Sequence, residues 1–263
     1  MMRPARELVP HPARSGVTRR AALLSALATG ASIALAQPAA GGSPADSASS
    51  VPRFPANFRR RADWGADESL RFGPDGTELF PTAFFDVQTV TVHHTATPNG
   101  DPDPAARVRS IYVDHTVTQN FGDIGYHLLI DEAGTVYEGR FSGPDRIPVF
   151  GGKRAGLLPQ MCNAAHVAGF NAANVGVALL ADLTVQPPTV AARRSLVSTL
   201  VWLFAATRLD PVGTTSYVNP ISGATRTVPT LAGHRDWAAT QCPGNTFYPL
   251  LAGVRTDVAA RLS

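Results

Sequence analysis

The sequence predicts a single α/β domain, in which a central mixed β-sheet is flanked by helices. Two observations support this prediction. Short segments rich in β-branched residues alternate with longer segments in which apolar residues recur at helical spacing. Polar residues of the types used in catalysis fall where the predicted strands end, and this is where α/β sheets place their functional groups.

The first elements follow in order from Val87. The text VQTVTVHHTA is short and β-branched, which predicts a buried strand ending at two histidines. Next, DPDPAARVRSIYVDHTVT opens with Asp and Pro and carries Val108, Ile111 and Tyr112 at helical spacing, so it predicts a helix. The segments IGYHLLID and TVYEGR, joined by the turn EAG, predict a hairpin.

The second half of the domain repeats this alternation. Residues 175–182, VGVALLAD, predict a fully apolar strand. Residues 189–209 predict an amphipathic helix with one apolar stripe, formed by Val197, Leu200, Val201 and Phe204. VPTLAGHRDW predicts a last strand that runs into a loop, and NTFYPLLAGVRTDVAARL predicts a helix capped by Asn245.

The N-terminal part of the chain predicts an export signal followed by a linker. Residues 1–36 hold a segment ending in VTRRAALL, an apolar run of 16 residues and the small-residue pattern ALA, and the pair Arg19 and Arg20 indicates the twin-arginine route. The run is shorter than the roughly 20 residues that span a bilayer, although a retained anchor stays an alternative. Residues 37–57, rich in small residues and proline, predict a linker, which leaves residues 58–263 for the domain.

The charge of the chain excludes one class of function. The full sequence carries a net charge of +3, and residues 1–36 contribute +4 through five arginines and one glutamate, so the remaining 227 residues carry a charge near −1. A nucleic-acid-binding protein needs a clustered basic face, so we predict no nucleic-acid partner. The remaining length is sufficient for one sizeable core.

Three residues of metal-ligand type stand at predicted strand ends or loops: His93, His234 and Cys242. Zinc is bound by imidazole nitrogen and thiolate sulfur, and a catalytic site keeps three protein ligands and one open position. The spacing from His234 to Cys242 is a weak signal by itself, while the Pro-Gly pair after the cysteine predicts a turn that holds the sulfur still. A disulfide between Cys162 and Cys242 is the alternative, because two cysteines in an exported chain suit one. The residues alone leave both interpretations open.

Five segments carry a resemblance to a known family: RADWGADE, VTVHHTAT, GDIGYHLLIDEAGTVYEGR, AAHVAGFNAANVGVALLAD and GHRDWAATQCPGNTFYPLL. In this order, over about 200 residues, they resemble the zinc-dependent N-acetylmuramoyl-L-alanine amidases of the peptidoglycan recognition protein and phage lysozyme type. The resemblance implies a mixed sheet flanked by helices, a groove that binds peptidoglycan, and one Zn²⁺ per chain.

The resemblance also assigns the reacting site. It implies that His93, His234 and Cys242 are the zinc ligands. It places at Tyr126 the tyrosine that lies beside the zinc water, and Thr240 occupies the position two before the cysteine, where a hydroxyl can donate a second hydrogen bond to the oxyanion. Neither of these two residues is a convincing general base, so both are interpreted as hydrogen-bond donors.

Five further residues are predicted to bind substrate. His166 matches a groove histidine of the family, and Asn171 follows it as a further contact. His94 neighbours a ligand on its strand and therefore points to the opposite face or the margin of the groove. Asn120 and Phe121 form a pair that the family associates with lysine-type stem peptides; the choice between lysine-type and diaminopimelate-type substrate stays open.

The remaining residues of catalytic type are interpreted as structural. His115 and His127 are expected to be ordinary helix and strand residues, and Glu138 is expected in a structural ion pair. Residues 146–166 are longer than the corresponding segment of the family, which suggests altered substrate or partner contacts at the groove rim. This segment brings Cys162, which stays an unpaired thiol if the other cysteine binds zinc.

Three hypotheses of function follow. The first is an exported monomeric amidase that cleaves the bond between N-acetylmuramic acid and L-alanine in peptidoglycan or muropeptides, without stable membrane insertion. The second is a non-catalytic peptidoglycan-binding protein, which in this family typically lacks the cysteine ligand. The third is a disulfide-stabilised binding module without a metal. Because all three ligand positions hold ligand residues, the sequence favours the amidase.

Overall fold

A mixed β-sheet of six strands forms the centre of the fold in the computed structural model, which describes residues 54–144, 147–151 and 158–263. Within these ranges the strands are β1 (Phe58–Arg59), β2 (Phe84–Phe85), β3 (Thr89–His94), β4 (Leu128–Ile130), β5 (Val136–Glu138), β6 (Phe150–Gly151), β7 (Gln160–Cys162), β8 (Asn174–Leu179), β9 (Thr214–Val218), β10 (Thr225–Pro229) and β11 (Leu231–Gly233).

The central sheet has the strand order β1-β5-β4-β8-β3-β11. β4 and β5 form the predicted antiparallel hairpin, and the other neighbouring strands are parallel. β3 and β8 are buried along their whole length, which is why neither shows the alternation of a half-exposed strand. Because β4, β8, β3 and β11 run in the same direction, the residues that follow them meet at one edge of the sheet.

In the described ranges, three α-helices cover this sheet: α1 (Pro104–Val113), α2 (Val190–Thr207) and α3 (Leu251–Ala259). Asp103 and Thr189 cap the first two, because each side chain accepts a hydrogen bond from the backbone N–H three residues later. The predicted helices therefore begin where their start signals stand, and the fold has the mixed α/β arrangement that the sequence predicts.

The two faces of the sheet bury separate apolar clusters, because side chains alternate along each strand. α2 and α3 lie on one face, where the buried residues include Val90, Val92, Val175, Val177, Leu196, Leu200, Val254 and Val258. α1 covers the other face, with Trp64, Val108, Tyr112, Leu129 and Ala178. His93 alternates with Val92 and therefore belongs to the α1 side of the sheet.

Two smaller sheets were not predicted from the sequence. β9 and β10 form an antiparallel hairpin whose side chains are mostly exposed. β2, β7 and β6 form a three-stranded antiparallel sheet, so the long segment 146–166 contains strands in its described part. The rest of that segment, residues 146 and 152–157, lies outside the described residues.

The prediction that Asn245 caps the last helix is wrong. The Asn245 side-chain oxygen accepts a hydrogen bond from the Arg235 guanidinium at 2.8 Å. A 3-10 turn, Tyr248–Leu250, follows, and α3 begins only at Leu251. Pro249 has no backbone N–H, so it suits the first turn of this helical segment and not its interior.

The start of the ordered packing also differs from the sequence prediction. Residues 1–53 lie outside the described residues, and with them the predicted export signal and most of the predicted linker. Phe54 lies in the predicted linker. In the structure its ring packs edge-on against Phe58 and Trp202, with centroid distances of 4.4 and 4.6 Å. In the described part of the chain, no helix combines the length and apolar character needed to cross a membrane.

Candidate metal centre

His93 and His234 are brought together by the pairing of two parallel strands. His93 is the penultimate residue of β3, and His234 directly follows β11. The register pairs Val92 with Gly233, so the next residue along each strand lies at the same edge of the sheet. The two imidazole ring centroids are 4.7 Å apart as a result.

Cys242 reaches the two histidines from the loop after β11. The Arg235 N–H donates to the Cys242 carbonyl at 3.1 Å, which folds the loop back on itself. The His94 N–H donates to Cys242 Sγ at 3.4 Å and holds the sulfur against the end of β3. His94 therefore contributes to this centre through its backbone.

The three side chains fit the ligand set of a zinc ion. One ligand atom from each of His93, His234 and Cys242 lies within 4.8 Å of the other two. In a tetrahedral site with Zn–N of about 2.05 Å and Zn–S of about 2.3 Å, nitrogen and sulfur ligands lie roughly 3.6 Å apart. The distance from His93 Nδ1 to Cys242 Sγ is 3.6 Å, so this pair already has the separation of two ligands of one ion.

Burial determines the protonation of the cluster. It lowers the pKa of His93 well below 6.5, with smaller contributions from neighbouring histidines, and it lowers the pKa of His234 to about 4. Both imidazoles are therefore neutral at pH 7, which is the form that binds metals. Burial raises the pKa of the Cys242 thiol to about 12, so ionisation of this sulfur near neutral pH requires a bound cation.

The loop that carries His234 and Cys242 is held at both ends. The Asp236 carboxylate accepts the Gly233 N–H at 2.8 Å and the Tyr248 hydroxyl, which fixes the loop where it leaves β11. Gly244 has a φ of +103°, and a Cβ there would lie 2.3 Å from the Leu183 carbonyl oxygen. The chain after Cys242 therefore packs closely on the segment that follows β8, and only glycine fits.

Tyr126 lies beside the cluster, with its ring centroid 5.3 Å from that of His93. Burial raises its pKa above the usual 10, and the nearby Cys242 adds to the effect, so the hydroxyl stays protonated and can donate. A cavity of about 240 Å³ opens next to Tyr126, between Thr95 and Thr97 after β3 on one side and α1 on the other. The cluster is thus next to a space that a ligand can enter.

Thr240 is exposed and lies next to the sulfur-bearing residue. Its hydroxyl oxygen accepts the Cys242 N–H at 3.2 Å. Because a hydroxyl can accept and donate at once, the Thr240 proton remains free to point away from the loop. The position is compatible with the predicted donor role and adds a second role, the support of the Cys242 backbone.

Three residues predicted to contact substrate are turned into the protein. The Asn171 side-chain oxygen accepts the N–H groups of His166 and Val167 at 2.8 and 2.7 Å, so it shapes a loop. His94 Nδ1 accepts the Leu183 N–H at 3.0 Å on the opposite side of the strand from the cluster. His166 is 8% exposed and lies with Nδ1 3.0 Å from His93 Nε2. These contacts give no support to substrate binding by Asn171 or His94.

Asn120 and Phe121 lie on the turn that leads to Tyr126. Asn120 is exposed with a φ of +57°, and Phe121 packs on the His115 ring at a centroid distance of 5.3 Å. His115 also contacts Tyr126 at 5.4 Å and accepts the Gly125 N–H through Nδ1 at 3.0 Å. The sequence predicts an ordinary helix residue at His115. In the structure His115 lines the cavity and contacts Phe121 of the predicted substrate-binding pair.

Both cysteines are free thiols, so the predicted alternative of a Cys162–Cys242 disulfide is wrong. Cys162 is fully buried in β7, with Sγ 3.4 Å from the Phe141 carbonyl oxygen.

The Cys162 carbonyl accepts a hydrogen bond from His127 Nε2 at 2.6 Å, and His127 Nδ1 accepts the Gly176 N–H at 2.8 Å. His127 is thus a fully satisfied structural residue, as the sequence predicts.

The predicted ion pair of Glu138 is wrong. Glu138 accepts the backbone N–H of Arg61 at 3.2 Å, and within the described ranges it forms no ion pair. The Arg61 guanidinium is taken by Asp123 at 3.0 Å and by Glu68 at 2.7 Å. Asp123 is fully buried and also binds Arg140 at 2.9 Å. Arg61 therefore pairs with Asp123 in the interior and not with Glu138.

The fold and the site define the class of this protein: an α/β domain with two histidines and a cysteine, fit for a zinc ion, at the carboxyl edge of its sheet. The chain belongs to the N-acetylmuramoyl-L-alanine amidase family, because the family model of that description, Amidase_2, matches residues 84–245. The family resemblance found in the sequence is confirmed.

The relatives carry two kinds of names. A human protein named N-acetylmuramoyl-L-alanine amidase is 33% identical over 195 residues, which are 73% of this chain and 27% of the relative. Human peptidoglycan recognition protein 3 is 25% identical over 198 residues, which are 74% of this chain and 46% of the relative. This chain therefore spans between about a quarter and a half of the length of these two relatives.

Solved structures share the fold. Human PGRP-IBETAC, crystallised with glycosamyl muramyl pentapeptide, has a TM-score of 0.53 and 20% identity, covering 75% of this chain and 95% of its own. Drosophila peptidoglycan recognition protein SD has a TM-score of 0.51 and 23% identity, covering 74% of this chain and 92% of its own. The predicted fold class is thereby confirmed.

Proposed function

We propose that this protein is a zinc-dependent N-acetylmuramoyl-L-alanine amidase, which hydrolyses the amide bond between N-acetylmuramic acid and L-alanine in peptidoglycan. The observation that carries the proposal is the complete ligand set. One ligand atom of each of His93, His234 and Cys242 lies within 4.8 Å of the others, next to a cavity. Membership of the amidase family supports the same reaction.

His93 and His234 enter the reaction as neutral ligands, since burial lowers the pKa of both. Cys242 supplies the third ligand as a thiolate once a cation is bound. A Zn²⁺ ion held by three such ligands polarises a carbonyl and lowers the pKa of a coordinated water from 15.7 toward about 7. A carboxylate ligand is not needed, because soft thiolate and imidazole donors already match zinc.

Tyr126 donates a hydrogen bond to the oxygen that becomes negative as the scissile carbonyl is attacked. Its raised pKa keeps the phenol protonated at neutral pH, so it serves as a donor and does not accept the proton of water. Thr240 is exposed two residues before Cys242, and we propose that its hydroxyl, which accepts the Cys242 N–H at 3.2 Å, donates to the same oxygen. Both residues therefore stabilise charge as it develops.

The substrate is proposed to be peptidoglycan or a muropeptide, bound along the cavity beside Tyr126. Thr95 and Thr97 offer hydroxyl groups there. The opposite wall holds Asp114 and Arg107, whose guanidinium is paired with Asp101 at 2.7 Å. Amide, carboxylate and ammonium groups of a stem peptide can pair with such a lining. Phe121 is not among the residues that line this cavity, but its ring packs on His115, which is. We propose that Phe121 therefore affects specificity indirectly.

We further propose that the protein works outside the cytoplasm as a monomer, since its substrate is a cell-wall polymer and residues 1–36 have the pattern of a twin-arginine signal. Changing both Arg19 and Arg20 to Lys is expected to keep the protein in the cytoplasm of an expressing bacterium. Mass spectrometry of the exported wild-type protein is expected to give an N-terminus at Gln37.

The experiment that tests the reaction uses the purified protein and two peptidoglycans, one lysine-type and one diaminopimelate-type. The expected products are free stem peptides that begin with L-alanine and glycan strands with intact N-acetylmuramic acid, identified by mass spectrometry. Metal analysis of the same sample is expected to give one zinc per chain. Cys242→Ser is the control, because it removes one ligand at nearly constant volume.

Two outcomes contradict the proposal. Retention of the protein on peptidoglycan without release of stem peptides, with one zinc bound, indicates a binding protein. Cleavage at equal rates by wild-type protein and the zinc-free Cys242→Ser variant indicates a reaction that does not use this centre.

A further inference from the structure

His166 lies behind the metal centre with both ring nitrogens engaged. Its Nδ1 is 3.0 Å from His93 Nε2, and its Nε2 is 2.9 Å from the Asn174 carbonyl oxygen. The two rings meet edge to face, at 87° and 5.0 Å between centroids. The other side of the His93 ring faces the cluster, with Nδ1 3.6 Å from Cys242 Sγ. A continuous chain of contacts thus runs from a backbone carbonyl to a proposed metal ligand.

The direction of each hydrogen bond follows from the first acceptor. A backbone carbonyl can only accept, so His166 Nε2 must carry a hydrogen. In a neutral imidazole the other nitrogen is then an acceptor, and His166 Nδ1 therefore accepts from His93 Nε2. His93 carries its hydrogen on Nε2 and has a lone pair on Nδ1. This is the nitrogen that faces Cys242.

Two further features hold the His166 ring in place. Gly176, in the middle of β8, leaves room for it: a Cβ there would lie 2.6 Å from His166 Cγ. The backbone of His166 is fixed by the Asn171 side chain, which accepts its N–H at 2.8 Å. A glycine in a buried central strand normally marks a close approach, and here its missing side chain gives the His166 ring its space.

We propose that His166 is a positioning residue, which fixes the tautomer and orientation of His93 so that Nδ1 is presented to the metal. Metal-bound histidines commonly donate their other N–H to a carboxylate, carbonyl or water, and here a second histidine takes that place. The inference rests on the proposed zinc site and deepens it. It replaces the expectation that His166 contacts substrate, because both of its ring nitrogens already have partners inside the protein.

The arrangement is testable without any variant. In protein freed of metal by a chelator, ¹⁵N-labelled histidine and long-range ¹H–¹⁵N correlations distinguish protonated from unprotonated ring nitrogens. The expected result at pH 7.5 is hydrogen on Nε2 of both His93 and His166, with both Nδ1 atoms unprotonated. Hydrogen on Nδ1 of either ring would overturn the proposal, since His93 Nε2 could then not donate to His166 Nδ1 and leave His93 Nδ1 free for the metal.

A matched pair of variants tests the effect on metal binding. His166→Phe keeps a ring in the same space and removes the acceptor, which leaves the buried His93 N–H unpaired. His166→Asn keeps an acceptor oxygen on Cγ, close to the position of Nδ1. Co²⁺ is the probe, because its visible absorption reports ligand geometry. We expect His166→Phe to bind Co²⁺ about 10- to 100-fold more weakly than wild type, with an altered spectrum, and His166→Asn to stay within roughly threefold.

The outcomes separate this inference from the proposed function. Equal Co²⁺ affinity and identical spectra for the Phe and Asn variants contradict the positioning role while the zinc site stands. Failure of the wild-type protein to bind Zn²⁺ or Co²⁺ contradicts the proposed function and, with it, the inference. Thermal unfolding of both metal-free variants serves as the control. If the two variants unfold at the same temperature and still differ in Co²⁺ spectrum, a purely structural role of His166 does not explain the difference.

Discussion

At the scale of single residues, the two cysteines have opposite environments. Cys242 Sγ accepts a backbone N–H and faces two imidazoles, at a position that is only partly buried. Cys162 Sγ is buried in β7 against the carbonyls of Phe141 and Asn163, to which it can donate its hydrogen, and among the described residues it belongs to no cluster of metal-ligand side chains. Cys242 would therefore become a thiolate only with a bound cation beside it, while Cys162 remains a thiol.

The first prediction uses this contrast. Cys242→Ser replaces a soft thiolate by a hydroxyl, so we expect zinc affinity to fall by at least about 100-fold and activity to fall with it. Cys162→Ala is expected to keep full zinc and activity and to lose only about 1 kcal/mol of unfolding free energy. Zinc per chain after dialysis against a weak chelator measures both. Loss of zinc from the Cys162 variant would argue against the assigned ligand set.

The second prediction concerns Tyr126. Tyr126→Phe removes one hydroxyl from the space beside His93 and leaves the three ligands untouched. We expect zinc content to be unchanged and kcat to fall by about 100- to 1000-fold, the loss that follows removal of one oxyanion donor. Single-turnover digestion of a soluble muropeptide, with metal analysis of the same sample, provides the measurement. Loss of zinc together with activity would instead make Tyr126 a structural support of the centre.

The sequence could point to the proposed ligands and not to their support. His93 and His234 stand at strand ends that are visible in the sequence, while Cys242 and Tyr126 were assigned through the family resemblance. The contact between His166 and His93 spans 73 positions and depends on how the loop before β8 folds over Gly176. The resemblance predicts a substrate contact for His166, and the burial of its loop is not visible in the local sequence.

At the scale of elements, the loop between β11 and α3 carries two of the three proposed ligands, so its shape sets their spacing. Trp237 within it donates to Thr91 Oγ1 at 2.9 Å, and Thr91 donates to the Asn174 side chain at 2.8 Å. The loop is thereby tied to β3 and β8. Tyr217 of β9 packs edge-on against Trp237 at 5.1 Å, so the β9–β10 hairpin supports the loop from outside.

The third prediction compares Gly244, in the loop between β11 and α3, with Gly253, inside α3. Gly244→Ala places a Cβ 2.3 Å from the Leu183 carbonyl oxygen at a φ of +103°, so we expect a loss of about 3 kcal/mol in unfolding free energy and weaker zinc binding. Gly253→Ala, inside α3, places a Cβ 3.9 Å from Arg193 Nη2, an ordinary contact, and is expected to be neutral or to stabilise by up to about 1 kcal/mol. Urea denaturation of both variants measures the difference; equal stabilities would contradict the close packing of the loop.

The strands of the two smaller sheets, which the sequence did not predict, are either mostly exposed or very short. β9 and β10 are exposed on most positions, and β2, β6 and β7 have two or three residues each. Such strands are stabilised by their partners and carry no periodicity of their own. The central strands and α2 could be predicted, because continuous burial leaves a clear mark on the sequence.

At the scale of the whole molecule, the fold buries several ionisable side chains, among them Asp123 and His127. Asp123 is fully buried between Arg61 and Arg140 and has its pKa lowered, in spite of burial, by these two cations. His127, also fully buried, has its pKa lowered to about 4 by loss of solvent. The protonation of such groups couples the stability of the entire domain to pH.

His127 gives the coupling a defined sign. Its pKa in the folded protein is about 4, below the value of 6.5 expected in the unfolded chain, so the unfolded chain takes up a proton first as the pH falls. The stabilisation is complete above about pH 6.5 and is lost progressively between pH 6.5 and 4. At pH 5 the loss from this one side chain amounts to about 2 kcal/mol.

The fourth prediction follows by removing the titrating group. In His127→Asn the side-chain oxygen can still accept the Gly176 N–H, while the bond to the Cys162 carbonyl is lost at every pH. We expect the variant to be less stable than wild type at pH 7.5 and the difference to shrink by about 2 kcal/mol at pH 5. Urea unfolding of the metal-free proteins at both pH values measures this. Histidines that do not interact with His127 titrate in both proteins and cancel in the comparison. A difference that stays constant with pH would show that folding leaves the pKa of His127 at its unfolded value.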